Sequence, residues 1–370
     1  MRLVPVESIR EGSCLAKTVY DGNNRVLIKK GQKLTSSILV KIKEYNIFSL
    51  FITDEYSERE IEAIIKPQLR EKSVKVLKDT FTNIDKLHCL FQSESCFSSI
   101  GSAAEKDECL SSVYALAEEL IDNILSNNNI LVSLVDIKTM DNCTYDHSVN
   151  VAVLSLVIGL GIRLNRLHLR DLCIGALIHD IGKVLVPKNI ILKEGPLNSE
   201  EYEVIKGHTE KGYDYLRNIS GLTTGIRLIA QQHHERVDGL GYPKGLKGDE
   251  ISLLSKIVAV ADVYDALTSN RPYRKAMLPN EALEYIMAYS GRMFDHSVVT
   301  AFSKIVVPYP NGTVVKLSNG DIGIVLETPF NYPLRPDVRI IKSSQKSKIG
   351  RLIRLIKELS IVILEIEYEI

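Results

Sequence analysis

Five histidines and two aspartates stand where their side chains could hold metal ions: His147, the pair His179-Asp180, His208, the pair His233-His234, and Asp262. Neutral imidazole nitrogens suit first-row ions, and carboxylates add the negative charge that keeps two cations close together and can bridge them. A single histidine on an apolar helix face is more often a packed core residue than a ligand. The six residues from His179 to Asp262 fall within 84 positions, however, and with His147 they account for five of the chain's eight histidines. That concentration favours a hydrolytic centre of two divalent metal ions over scattered core positions. A mixed nitrogen and oxygen shell fits iron or manganese first and zinc less well.

These ligands converge only if helices present them. A capping-box start, Asn198 with Glu201 three residues on, predicts a helix with apolar positions Tyr202, Ile205 and Tyr213 and with His208 on the same buried stripe. The next segment, IRLIAQQHHER, carries consecutive histidines that point about 100° apart, so both reach one ion only near a helix end. ISLLSKIVAVADVYDALTS is apolar nearly all round, which buries Asp262 and Asp265 one turn apart. Buried carboxylates without partners are costly, and bound cations remove that cost. Capping or an ion pair is the alternative role open to Asp265.

A chain of 370 residues exceeds one ordinary core, so a multidomain protein is expected. Residues 1–57 read as a small α/β or mostly β module around the turn DGNN. Residues 58–109 read as connecting helices and linker, and 110–305 as an all-α catalytic domain, since long helical periods there carry almost no strand signal. Residues 306–370 read as a C-terminal β appendage, because YPNGTVVKLSNGDIGIVLETPF alternates and contains Asn-Gly pairs, with LSIVILEIEYEI returning as a further strand.

Lys plus Arg balances Asp plus Glu at 46 each, so no overall field attracts nucleic acid or an acidic membrane, and neither is an expected partner. The longest apolar stretch, 12 residues from Val151, falls short of a membrane span. Six cysteines without a CxxC argue against a disulfide framework or zinc ribbon, and a cytoplasmic location is the expectation. The amphipathic helices before Ser126 leave a homodimer open.

Three long motifs occur in order: HDIGK at 179–183, HHERVDGLGYP at 233–243 and ADVYDALTSNRPYR at 261–274. Over roughly residues 140–305 the chain resembles the HD-GYP family of cyclic di-GMP phosphodiesterases. The resemblance implies an all-α HD-type domain with metal ligands His147, His179, Asp180, His208, His233, His234 and Asp262, Asp180 bridging two ions. It places Lys183 near the scissile phosphate and gives Tyr242, Arg271 and Arg274 to the dinucleotide. The turn-rich loop Asp238–Pro243 would present its aromatic ring to a guanine, and Arg271, Arg274 and Lys275 would offer positive charge to phosphate oxygens. Family members with three ions carry a glutamate one turn before the first histidine, where this chain has Cys143, so a two-metal centre is expected. Asp265 and Asp146 are the conceivable substitutes at a third site. Two alternatives stay open: a phosphohydrolase acting on another cyclic dinucleotide or nucleotide, and a catalytically silent cyclic di-GMP receptor. The product is linear pGpG, GMP, or both.

Overall fold

Three main apolar clusters, one for each of three consecutive stretches of chain, organise the computed structural model. It describes residues 1–20, 26–45, 47, 49–54, 64–92, 103–126, 132–133, 144–193, 195–269, 276–329 and 331–368.

The first stretch runs β1 (Arg2–Pro5), β2 (Cys14–Leu15), β3 (Val19–Tyr20), β4 (Val26–Ile28), α1 (Ser36–Glu44) and β5 (Ser49–Thr53). β5 lies between β1 and β2, antiparallel to both, and β3 pairs with β4. Thr35 caps α1 by accepting from the Ile38 amide, and Ile42 joins Val4, Leu15, Leu50 and Ile52 in a small core. β1 is a strand that periodicity did not reveal, because four residues containing a proline carry little alternation. The expected DGNN turn lies outside the described residues.

The second stretch is helical: α2 (Pro67–Gln92), α3 (Ala103–Leu125), α4 (Thr144–Gly161), α5 (Arg166–Leu177), α6 (Lys188–Ile191), α7 (Ser199–Lys206), α8 (His208–Arg217), α9 (Thr224–Gln232), α10 (Leu253–Thr268), α11 (Pro279–Ala288) and α12 (His296–Ile305). A two-residue strand, β6 (Val132–Ser133), interrupts it and pairs in parallel with β7 (Val306–Val307). α4 runs through the middle, with Val149, Val151 to Leu154 and Leu156 to Ile158 all buried. Pro67 opens α2, where a missing amide hydrogen leaves nothing unsatisfied. The segment read as connecting helices is more than a connection. Leu77, Phe81 and Ile84 of α2 lie in the same core as α4, α5 and α10. Leu110, Val113, Leu116 and Leu120 of α3 lie there too. The apolar residues of these helices, which left a homodimer open, are buried within the chain itself.

The third stretch forms a five-stranded antiparallel sheet of β8 (Val314–Leu317), β9 (Ile322–Glu327), β10 (Asp337–Lys342), β11 (Leu352–Arg354) and β12 (Ile363–Ile366), in the order β11-β10-β9-β8-β12. Alternate residues Val315, Leu317, Val325, Val338 and Ile340 fill its core. The returning strand expected in LSIVILEIEYEI is β12, paired to β8. No helix among the described residues is long and apolar enough to cross a membrane.

Candidate metal centre

Three histidines reach the centre by one local device. His179 follows the end of α5, His208 is the first residue of α8, and His233 caps the C-terminus of α9. At each place the imidazole donates from Nδ1 to a carbonyl of the preceding turn. His179 donates to Ala176 O at 2.8 Å, His208 to Ile205 O at 2.7 Å, and His233 to Ile229 O at 3.0 Å and Ala230 O at 3.1 Å. A carbonyl only accepts, so each neutral ring must carry its hydrogen on Nδ1 and turn a bare Nε2 inward.

His208 does not continue the stripe of the capping-box helix. The box Asn198-Glu201 is present, but α7 stops at Lys206, and Gly207 leads into α8 with His208 at its start. Gly182 makes the approach of α8 possible, because a Cβ there would stand 1.9 Å from the His208 carbonyl oxygen and 2.6 Å from the Gly212 nitrogen. The 3-10 turn Ile181–Leu185 thereby packs directly on α8, with Asp180 against His208.

Asp180 occupies the middle. Its Oδ1 lies 3.3 Å from His208 Nε2 and 3.8 Å from His233 Nε2, and its Oδ2 lies 3.4 Å from His179 Nε2 and accepts from Lys183 Nζ. Burial would raise its pKa, but Lys183 and His179 hold it well below the usual carboxylate range. Potential ligand atoms gather in two groups that share it: Asp180, His208, His233 and His234, and His147, His179 and Asp180. Asp262 joins them, with Oδ1 3.1 Å from His147 Nε2 and Oδ2 3.9 Å from His234 Nδ1.

These donors fit cations. His208 Nε2 and His233 Nε2 face each other at 3.3 Å, two lone pairs with nothing attractive between them unless a positive charge is shared. His179 Nε2 and Asp180 Oδ1 are buried without a hydrogen-bond partner, a state native interiors rarely tolerate. Burial, with the neighbouring histidines, holds His233 well below its ordinary range, and burial brings His234 down to about 3. Both stay neutral and able to donate a lone pair.

His147 is supported differently. Its Nδ1 donates to Asp265 Oδ2 at 2.7 Å, and burial, which opposes its charge, is overcome by Asp262 and Asp265, which push its pKa up to about 10. Asp265, considered above as a third-site ligand, is 3% exposed and turned to His147 and Asn150. Asp146, the other substitute, is paired with Arg70 at 3.5 Å. Cys143, Arg271, Arg274 and Lys275 lie outside the described residues.

Around this core the Tyr242 ring stacks on His234, centroids 4.8 Å apart at 29°. One face of the aromatic expected to meet a guanine is thus laid on a ligand ring. The loop is pinned by a residue the sequence reading passed over: buried Glu235 accepts from the Lys244 and Leu246 amides at 2.7 and 3.0 Å. Gly241 lets the loop fold back, since a Cβ there would lie 2.4 Å from the Arg236 nitrogen. A charged residue directly after the histidine pair was the available signal for Glu235. Asn150 and Arg70 carried no such signal.

The HD domain profile matches residues 121–298, which contain every one of these candidate ligands. A profile described as a KOW domain associated with HD domain matches residues 314–368, the β8–β12 sheet. Among curated proteins, cyclic di-GMP phosphodiesterase PA4108 of Pseudomonas aeruginosa is 40% identical over 237 residues, 63% of this chain and 56% of that protein. A cyclic di-GMP phosphodiesterase of Thermotoga maritima is 38% identical over 51% of this chain and 50% of its own length. Residues 121–298 are an HD domain of the HD-GYP type. A 3'3'-cGAMP-specific phosphodiesterase of Vibrio cholerae is 39% identical over 44% of the chain and 37% of that protein. The chain spans from about a third to just over half the length of these relatives.

Proposed function

We propose that this HD-GYP domain is a metal-dependent phosphodiesterase that hydrolyses cyclic di-GMP to linear pGpG, GMP, or both. The observation that carries the reading is the pair of donor groups that share Asp180, next to bare inward-facing imidazole nitrogens. Two ions, iron or manganese before zinc, would be held by His147, His179, Asp180, His208, His233, His234 and Asp262. When bound, they polarise water and neutralise charge on phosphate oxygens. A count of two is supported by the commitment of Asp265 to His147 and of Asp146 to Arg70.

The chain's own residues do the rest. Asp180 bridges the two groups. Lys183, with its ammonium on Asp180 Oδ2 and its side chain 36% exposed, stands where it can meet a phosphate oxygen at the mouth of the site. Tyr242 closes one wall over His234, and Arg271 and Arg274 are assigned to the dinucleotide by the family motif. Relatives of similar identity are named for cyclic di-GMP and for 3'3'-cGAMP.

The deciding assay gives the metal-stripped chain Mn²⁺ or Fe²⁺ and compares cyclic di-GMP, 3'3'-cGAMP and simple nucleotides. Cleavage of cyclic di-GMP is the expected result. Cleavage only of another substrate would replace the substrate assignment, and tight binding without turnover would make the domain a receptor.

A further inference from the structure

One ligand of the centre is steadied from outside the HD segment. Arg70 sits on α2, ahead of residues 121–298, and is 7% exposed. Its guanidinium donates from Nη2 to Asn150 Oδ1 at 2.6 Å and pairs through Nη1 with Asp146 Oδ1 at 3.5 Å. With its oxygen taken, the Asn150 amide must turn its NH₂ the other way, and Nδ2 donates to Asp265 Oδ1 at 3.0 Å. The remaining oxygen of Asp265 is left for His147 Nδ1 at 2.7 Å. Four side chains on three helices thus fix the ring plane of His147 and aim its Nε2 at the centre.

We propose that Arg70 is a positioning residue for His147, acting through Asn150 and Asp265, and that α2 thereby sets the strength of the cation site formed by His147, His179 and Asp180. The inference rests on the two-cation reading above. Partners of this kind orient a metal-bound imidazole, and their loss weakens binding by about 10- to 100-fold. Arg suits the task because its planar fork serves Asn150 and Asp146 together, which a lysine ammonium cannot do in the same geometry.

The test uses the full chain, with Arg70→Gln, Arg70→Lys and, as a control on the same helix as Arg70, Lys72→Ala, which removes the exposed pair with Glu119 of α3. In Mn²⁺ titrations of metal-stripped protein, R70Q is expected to weaken one of two sites about tenfold and to affect the other, which shares Asp180 and Asp262 with it, clearly less. R70K should fall between wild type and R70Q, and K72A should match wild type. In metal-free protein, proton NMR should show the His147 Nδ1–H of R70Q moving upfield and exchanging faster, with the His179, His208 and His233 signals unmoved. Both sites weakened alike, or no change in site affinity and His147 signal, overturns the proposal. If R70Q fails to fold, R70K must show the same selective change to a smaller degree, and its absence is equally decisive. A wild-type chain that takes up no Mn²⁺ defeats the two-cation reading instead, while the NMR comparison still decides whether Arg70 holds His147.

Discussion

The two sides of the metal centre are built on different principles. His179, His208 and His233 are each tied by Nδ1 to a carbonyl three or four residues back in their own turn, so forming the turn orients the ring. His147 instead depends on Asp265, which lies 118 residues away in sequence, and on Asn150 and Arg70 behind it. Backbone tethers persist as long as the helix end persists. A side-chain network can be loosened one hydrogen bond at a time, which makes the His147 side the place where the rest of the chain can act on the centre.

The largest effect should come from the residue common to both sides. Asp180→Ala is expected to lose both cations and to lower turnover by about 10²- to 10³-fold, the scale on which loss of a preorganised electrostatic group is felt; metal analysis with a hydrolysis assay checks it. Retention of one full equivalent of metal would show that the two groups do not share this carboxylate.

Asp265→Asn separates the sides. It should weaken Mn²⁺ binding at the His147 site by about 10- to 100-fold and leave the site of His208, His233 and His234 within error of wild type, as read by metal titration.

Acidity sharpens the same contrast. The pKa of His147 is raised from 6.5 to about 10, so its contribution to the metal-free fold is complete below pH 6.5 and lost as pH climbs through 10. His234, lowered from 6.5 to about 3, works in the opposite sense: the unfolded chain takes up a proton that the fold refuses, and stability falls as pH drops from 6.5 towards 3. For cations, the His147 site must release a proton between pH 6.5 and 10, so its affinity should rise by up to about tenfold per pH unit. His233 and His234 have no proton left to give there. Calorimetry in buffers of different ionisation enthalpy measures the proton release, and a pH-independent His147 site would contradict the assignment.

The smallest expected change is Tyr242→Leu. Removing a ring stacked on His234 gives up about 0.5–1.5 kcal/mol of aromatic contact, which should appear as a rise of several-fold in KM for cyclic di-GMP with metal content unchanged.

Much of the centre was legible before any fold was known. Residue type and order pointed to side chains that the fold gathers in one place, the Asn198-Glu201 box marked a real helix start, and the apolar surroundings of Asp262 foretold its burial. A helical stripe misleads where chain direction changes within one residue. Gly207 ends one helix and begins another, so His208 is placed by a helix start and not by the stripe of α7. An amphipathic pattern also leaves its partner open where several surfaces could cover it. α2 shows an apolar stripe, but nothing in 26 residues says whether another chain or α4 covers it.

The sequence by itself determined the chemistry available: which side chains carry nitrogen or oxygen donors, which helix ends bring imidazoles next to backbone carbonyls, and where glycine permits close approach. Those are local properties, set within a turn or two of backbone. Tertiary structure alone decided that Asp265 bonds to His147 and Asn150, and that Arg70 stands behind them. Hydrogen bonds between residues 80 to 118 positions apart leave no periodicity to read, since their geometry exists only once α2, α4 and α10 have packed.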